Sequence, residues 1–325
     1  MDDWGLRALV AALCDGQAHS RASVIRSAGI DAAALESWLA VLPRYGVSIE
    51  PLAGGCLRLA QALDLLDRDS IYAALPPDTR DIVRRCEVCS CVDSTNQVLL
   101  ERAAHEDIHG HVCLAEFQTA GRGRQGRRWH MPYGGGILMS IGWRYAQRQV
   151  LAPLALAIGV AAVRVLCRNG AAELRLKWPN DLLWHGRKLG GFLIEARGAA
   201  SGPVSAIIGL GINCTPAADL AVAQPRTDVW TVLGHALSRN ALAAQLIAEV
   251  SGVLSEHGAR RGYSVLLNEW RQHAAQRGQP VRLVQGDKTL CGEIRDVDDQ
   301  GALIVDIDGR LRRFQDGEIS LRAAE

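Results

Sequence analysis

The 325-residue sequence lacks a charge excess: 36 lysines and arginines stand against 35 acids, a net charge of +1. That balance removes any global electrostatic pull toward nucleic acid or an anionic membrane, so such binding would have to come from a local patch. A basic leader is missing too. MDDWGLRALVAAL opens on acids, and its apolar stretch stops at Cys14-Asp15-Gly16, so neither a signal peptide nor a membrane span is expected there. The nine cysteines are odd in number, in a chain too long to need staples, and read as reduced thiols of a cytoplasmic protein. Cys86, Cys89 and Cys91 cluster, with His105, His109 and His111 after them, but the second cysteine pair of a structural zinc site is absent. CEVCSCV reads instead as a strand with small thiols on both faces. Internal repeats and low-complexity tracts are absent. What is present is 48% hydrophobic residues, enough for an ordinary core spread over about two to three domains.

Residues 1–63 read as three short helices and a hairpin. The first helix runs from Trp4 to Leu13. Ser20 can cap a second, ending at Gly29, and Asp31 a third, ending before Pro43. Residues 47–50 and 56–59 then flank Gly54-Gly55 as a β-hairpin would, which gives the order of a winged helix-turn-helix. Residues 64–84, polar and broken at Pro76-Pro77, read as a helical linker. From residue 85 to 275 strands alternate with helices: strands at 112–115, 136–143, 174–177, 188–195 and 204–210, long helices at 151–167 and 240–257. Several of these strands are consecutive, which predicts a mixed sheet. Residues 276–325 change texture, with short alternating strands joined by Gly-Asp and Asp-Gly turns, as in a small β-barrel of about five strands.

The segment Gly121-Arg122-Gly123-Arg124-Gln125-Gly126-Arg127-Arg128-Trp129 satisfies a dinucleotide-binding glycine pattern letter for letter. That pattern functions only between a strand and a helix, with an acid about twenty residues on. Here the exit is His130-Met131-Pro132-Tyr133-Gly134-Gly135-Gly136, which cannot be a helix, and no such acid follows. Nor does a Gly-Lys-Ser/Thr follow, which excludes a P-loop. A glycine-jointed loop with four arginines remains. Guanidinium forks suit phosphate or carboxylate oxygens, so the loop is expected to order over a bound anion. Lys177-Trp178-Pro179-Asn180-Asp181 ends one strand and begins another, 181–184, which forms a hairpin around His185-Gly186 with strand 188–195, the strand of Arg187-Lys188-Leu189-Gly190-Gly191. This sets Lys188 beside a Gly-Gly pair that lets a ligand approach the backbone. Ser94-Thr95-Asn96 opens a helix, with Ser94 as its cap.

In order, Ser94-Thr95-Asn96, the run from Glu116 to Arg124, Lys177–Asp181, Arg187–Gly191, Gly209-Leu210-Gly211-Ile212-Asn213, Gly286-Asp287-Lys288 and the 317–322 ending resemble the signatures of biotin protein ligases. With the N-terminal segment, the whole resembles the bifunctional type that also represses the biotin operon. The resemblance implies an α+β fold: an N-terminal winged helix-turn-helix, a central mixed α/β sheet domain of class II synthetase-like kind, and a small SH3-like barrel. It implies ATP, biotin and Mg²⁺ as ligands, and biotinyl-AMP made and passed to a lysine of a biotin carboxyl carrier protein. It also implies a homodimer in the adenylate-bound form, operator DNA as a further partner, and no membrane. Lys188, Arg124 and Arg122 would be catalytic. Biotin would lie on Ser94, Thr95, Asn96, Gln118, Gly121, Arg122, Gly123, Lys188 and Gly191. ATP would be held by Arg122, Arg124, Arg127, Trp129, Asn180, Asp181, Asn213, Trp230, Lys288 and Arg322, and the metal by Asp181. Readings from other classes are a lipoate-type ligase and a pure repressor using biotinyl-AMP as corepressor.

A DNA-reading helix needs basic and amide side chains. The third helix, AAALESWL after Asp31, offers none. Residues 1–65 hold five arginines against seven acids, where counterion release wants a positive face. Weak operator affinity is expected.

Overall fold

The computed structural model describes residues 3–147, 151, 153–198, 202–216, 224–258, 263–285, 288–315 and 320–323, with the backbone alone at 3, 4, 257, 258, 285 and 320–323. The expected Gly286-Asp287 pair, residues 317–319 and the Arg322 side chain lie outside the described residues.

The N-terminal layer comprises α1 (Asp3–Ala11), β1 (His19–Ser20), α2 (Arg21–Ala28), α3 (Ala32–Val41), β2 (Ile49–Leu52) and β3 (Cys56–Leu59), with the strands ordered β1-β3-β2, all antiparallel. Local chemistry sets these boundaries. The Ser20 hydroxyl accepts from the Ser23 amide, Gly29 ends α2 at φ +63°, and Asp31 Oδ1 accepts from the Ala34 amide at 2.7 Å. The two-residue β1 escaped the sequence reading because it is too short to show alternation.

Residues 64–84, expected as a linker, are instead built into the core. They form α4 (Arg68–Ala74) and α5 (Pro77–Ile82), and Leu66, Ile71, Leu75 and Val83 are buried in the same cluster as the central sheet. Burial of four such side chains, each worth about 1.5–3 kcal/mol, outweighs the polar composition that suggested a tether.

The central sheet contains β4 (Arg85–Val92), β5 (His111–Gln118), β6 (Gly136–Tyr145), β7 (Leu174–Lys177), β8 (Asp181–Trp184), β9 (Arg187–Gly198) and β10 (Val204–Asn213), in the order β4-β5-β6-β10-β9-β8-β7. Only β4 and β5 are parallel; they are joined through α6 (Thr95–Arg102), and the sheet is mixed as expected. The two-residue turn His185-Gly186 has positive φ at both positions, the geometry that joins twisted antiparallel strands. One face is covered by α7 (Leu154–Arg168), apolar almost all round and buried at eleven positions, with α9 (Arg239–Gly258) and α10 (Tyr263–His273) packed behind it; α8 (Val229–Leu233) is a short turn before them. β4 carries the cysteine cluster as the expected strand. Burial pushes the Cys86 thiol up to about 11, and contact with Cys89 together with burial raises Cys113, so these sulfurs are held as thiols.

β11 (Pro280–Gln285), β12 (Lys288–Val297), β13 (Leu303–Ile307), β14 (Arg310–Phe314) and β15 (Ser320–Ala323) form a five-stranded antiparallel sheet ordered β14-β13-β12-β11-β15. Its apolar side joins the main core through Leu283, Ile294, Val305 and Phe314. Among the described residues, no helix is long and apolar enough to cross a membrane.

Candidate functional site

One cavity opens where β5, α6, β9 and β10 meet the arginine loop. Its wall unites Ser94, Thr95, Asn96, Gln118, Arg122, Gly123, Trp129, Asn180, Lys188 and Gly191 with the apolar Leu138, Met139, Phe192, Leu193 and Leu210. Ten of the expected residues thus share one wall, from segments up to about 100 residues apart, while Gly121, Arg124 and Arg127 line an adjoining cavity of the loop.

The polar end lies at the start of α6. Ser94 occupies the cap position, but its hydroxyl makes no capping hydrogen bond, contrary to expectation, and it faces the cavity. The Thr95 amide donates to Gln118 Oε1 at 2.8 Å, with the Thr95 hydroxyl 3.2 Å from the same oxygen. Ser140, fully buried on β6, reaches Thr95 Oγ1 at 2.7 Å and Asn96 Oδ1 at 2.6 Å. Asn96 Nδ2 donates to Glu195 Oε2 at 2.8 Å and to the Leu193 carbonyl at 3.2 Å. Ser140 and Glu195 were missed by the sequence reading. Each follows only from strand register, Gly209 of β10 lying between Leu193 of β9 and Ser140 of β6.

The cationic end lies across β8 and β9. Lys188 Nζ is 2.6 Å from Asp181 Oδ1 and 5.4 Å from the centre of the Trp129 ring. Arg124 donates to Asn180 Oδ1 at 3.3 Å, and Asn180 Nδ2 to the Phe192 carbonyl at 2.6 Å. Burial lowers the pKa values of Arg124 and Lys177, with the Asp181 charge opposing in both cases. Half-buried cations around one carboxylate make this end ready for an anion. The glycines have a steric reason here. A Cβ on Gly211 would stand 2.6 Å from the Trp129 ring, one on Gly209 2.4 Å from Asn96 Oδ1, and one on Gly121 2.5 Å from the Trp129 carbonyl. Trp129 Nε1 is buried without a hydrogen-bond partner, a donor aimed at the site.

The loop is expected to order over a bound anion, yet two of its arginines already have partners. Arg122 already pairs with Glu195 at 2.9 Å, and Arg127 donates to Gln125 Oε1 at 3.3 Å. The partner of Arg122 lies 73 residues away, beyond any local signal. Asn213, expected on ATP, donates to the carbonyls of Thr227 and Lys188 at 2.9 and 3.3 Å, pinning the 225–227 segment to the start of β9. It lines a neighbouring cavity with Thr215, Arg226 and Asp228. Trp230, 42% exposed on α8, and Lys288, exposed at the start of β12, do not line the main cavity. Trp178 is buried and donates its indole N–H to the Gly301 carbonyl at 3.0 Å, bolting the loop between Lys177 and Asn180 to the C-terminal sheet.

Residues 88–213 match the family described as the biotin/lipoate A/B protein ligase family, and residues 278–322 the biotin protein ligase C terminal domain. The bifunctional ligase/repressor BirA of Salmonella typhimurium is 37% identical, over 98% of this chain and 97% of that protein. The biotin–[acetyl-CoA-carboxylase] ligase of Mycobacterium tuberculosis is 35% identical, over 73% of this chain and 88% of its own length. Among solved structures, the biotin protein ligase from Aquifex aeolicus in complex with biotin and ATP aligns at a TM-score of 0.63 with 23% identity, covering 74% of this chain and 100% of that one. The last is a likeness of fold.

Proposed function

This chain belongs to the biotin protein ligase family and is a biotin ligase, and from that premise we propose that it activates biotin with ATP as biotinyl-AMP and transfers it to a lysine of a biotin carboxyl carrier protein. The observation that carries the reading is the position of Lys188. It stands in one cavity between a hydrogen-bonding end of hydroxyls and amides and a cationic end, over Trp129 and beside Gly191.

In this reading the ureido ring lies on Ser94, Thr95 and Gln118, a buried urea needing all its donors and acceptors met. Gly121, Gly123 and Gly191 leave room for the fused ring and its chain. Lys188 exchanges Asp181 for the biotin carboxylate and the α-phosphate. Arg124, Arg127 and Lys177 neutralise the phosphates, and Asn180 hydrogen-bonds to them, as the carboxylate oxygen bonds to the α-phosphorus and pyrophosphate leaves. The carrier amine then attacks the acyl carbon, and AMP departs. Positioning and charge neutralisation, with no covalent enzyme intermediate, supply the rate. Trp129, Asn213, Trp230, Lys288 and Arg322 remain assigned to the nucleotide side. Mg²⁺ would arrive with ATP. Asp181 is the one carboxylate proposed for it, and no group of three or more His, Cys, Asp or Glu side chains able to hold a metal occurs among the described residues.

We read the N-terminal layer as a winged helix, the C-terminal sheet as an SH3-like barrel, and the full-length likeness to a ligase/repressor as support for an operon-repressor role with a dimer in the adenylate-bound form. Operator affinity is weak in this reading. Arg21 pairs with Glu36 and Arg58 with Glu50, and Arg7 is turned inward onto the Leu66 carbonyl at 2.8 Å, which takes three of the segment's five arginines from a phosphate-facing surface. A sequence-specific nanomolar mobility shift at physiological salt would overturn it. A cytoplasmic location goes with nine cysteines outside any disulfide.

The ligase reading is tested by ATP–pyrophosphate exchange with biotin or lipoate, followed by labelling of a carrier domain. Exchange and labelling with biotin alone are expected. Lipoate as the better substrate moves the assignment to a lipoate-type ligase, and adenylation without transfer favours a repressor that keeps biotinyl-AMP as corepressor.

A further inference from the structure

The hydrogen-bond row behind Thr95 ends on a charge, and that charge leaves every group in the row a single sense. Glu195 Oε2 accepts from both Asn96 Nδ2, at 2.8 Å, and Arg122 Nη2, at 2.9 Å. The amide end that faces a carboxylate and the Leu193 carbonyl must be the NH₂ end, so Asn96 turns its oxygen toward Ser140. An amide oxygen has no proton, so Ser140 gives its one proton to Asn96 across 2.6 Å. Thr95 is then the donor in its 2.7 Å contact with Ser140, the shorter of its two options. What Thr95 presents to the cavity is a lone pair. Gln118, its Oε1 occupied by the Thr95 amide, keeps its Nε2 as a donor. A cyclic urea has two N–H donors and one carbonyl acceptor, so an acceptor at Thr95 and a donor at Gln118 match it in one orientation.

We infer that Glu195, a residue of β9 that touches no part of the urea in this scheme, is the positioning residue that sets the polarity of the biotin site, acting through Asn96 and Ser140. The inference rests on the ligase reading above. Removing the carboxylate takes away the nearer and only charged of the two acceptors that orient the Asn96 amide, leaving the Leu193 carbonyl at 3.2 Å, and so loosens the sense in which the Ser140 and Thr95 hydroxyls are held. Asn96 has little other room to move, since Gly209 packs directly against it.

The test is calorimetric titration with biotin alone, without ATP, on the full chain. Glu195→Leu is expected to weaken biotin roughly tenfold or more, and ATP by clearly less even though Arg122 loses its partner. Glu195→Gln, which keeps an acceptor oxygen for Asn96, is expected to retain most of the affinity. Desthiobiotin, which keeps the cyclic urea and lacks the thiophane ring, is expected to lose affinity in parallel. Three results each overturn the inference: wild-type biotin affinity in Glu195→Leu, an equal loss of ATP and biotin, or a loss for biotin that spares desthiobiotin. The wild-type titration separates the two readings, because absence of any biotin binding there defeats the ligase assignment itself.

Discussion

Glu116 and Arg239, 123 residues apart in the chain, form an ion pair at 2.7 Å in which the side chains are 0% and 3% exposed. The pair is a joint between three parts of the molecule. Glu116 Oε1 accepts from the Leu66 amide at 2.6 Å, and Arg239 donates to the Gly136 carbonyl at 2.6 Å and the Asp64 carbonyl at 2.7 Å. The start of the embedded 64–84 segment, the head of β6 and the N-terminus of α9 therefore meet on one charge pair, two residues before Gln118 of the site. Arg239→Met is expected to destabilise the protein by about 3–5 kcal/mol, since it strands a buried carboxylate. Adding Glu116→Gln is expected to recover part of that loss. Urea unfolding of both variants checks it, and a double variant no better than the single one contradicts the account.

Lys188 is held by Asp181 at 2.6 Å while it sits over the Trp129 ring. Lys188→Met is expected to lower biotin-dependent pyrophosphate exchange by roughly 100-fold or more, the scale of losing one charge stabiliser, with a far smaller effect on biotin binding. Lys188→Arg is expected to restore little, because a planar fork cannot replace a point charge in so narrow a place. A near-wild-type exchange rate in Lys188→Met refutes the role.

The opposition of Gly211 and Trp129 gives a steric test. An added Cβ would lie 2.6 Å from two ring atoms and 2.9 Å from Nε1. Gly211→Ala should push the indole out of the wall, with an overpacking loss of about 1–3 kcal/mol and a weaker grip on biotin. Calorimetry and thermal melting together check this, and unchanged values in both contradict the packing described.

Two histidines at the far end of the central sheet predict an acid-sensitive window. Burial lowers the pKa values of His109 and His111 below the ordinary 6.5. His109 Nδ1 accepts from the Arg144 amide at 3.2 Å, which a protonated nitrogen cannot do, and His111 Nδ1 is buried without a partner. With folded pKa values below the unfolded one, the unfolded chain binds more protons as pH falls, so stability is complete above 6.5 and declines below it. Melting temperatures at pH 7.5 and 5.5 should differ less in a His109→Gln, His111→Gln double variant than in the wild type. An equal slope in both would exclude these groups.

Much of this protein was legible from local chemistry. Ser20, Gly29 and Asp31 bound the N-terminal helices because capping needs partners only three or four residues away. The β8–β9 hairpin was readable because a two-residue turn sets its register, and this put Lys188 beside Gly191. The linear order of motifs was enough to indicate the ligase family. Three things were decided only in three dimensions. Residues 64–84 are core, because α9 and the central sheet supply the apolar surface that their own composition conceals. Arg122 is engaged by Glu195 before any anion arrives, because β9 returns an acid beside the loop. Ser94 is left free of its capping duty, and the Asn96–Ser140 row behind it is assembled by the pairing of β6, β10 and β9. Turn and cap signals act over a few residues and are written in the chain. Ion pairs and hydrogen-bond rows between strands depend on register across a sheet, and register emerges only when the sheet closes on its core.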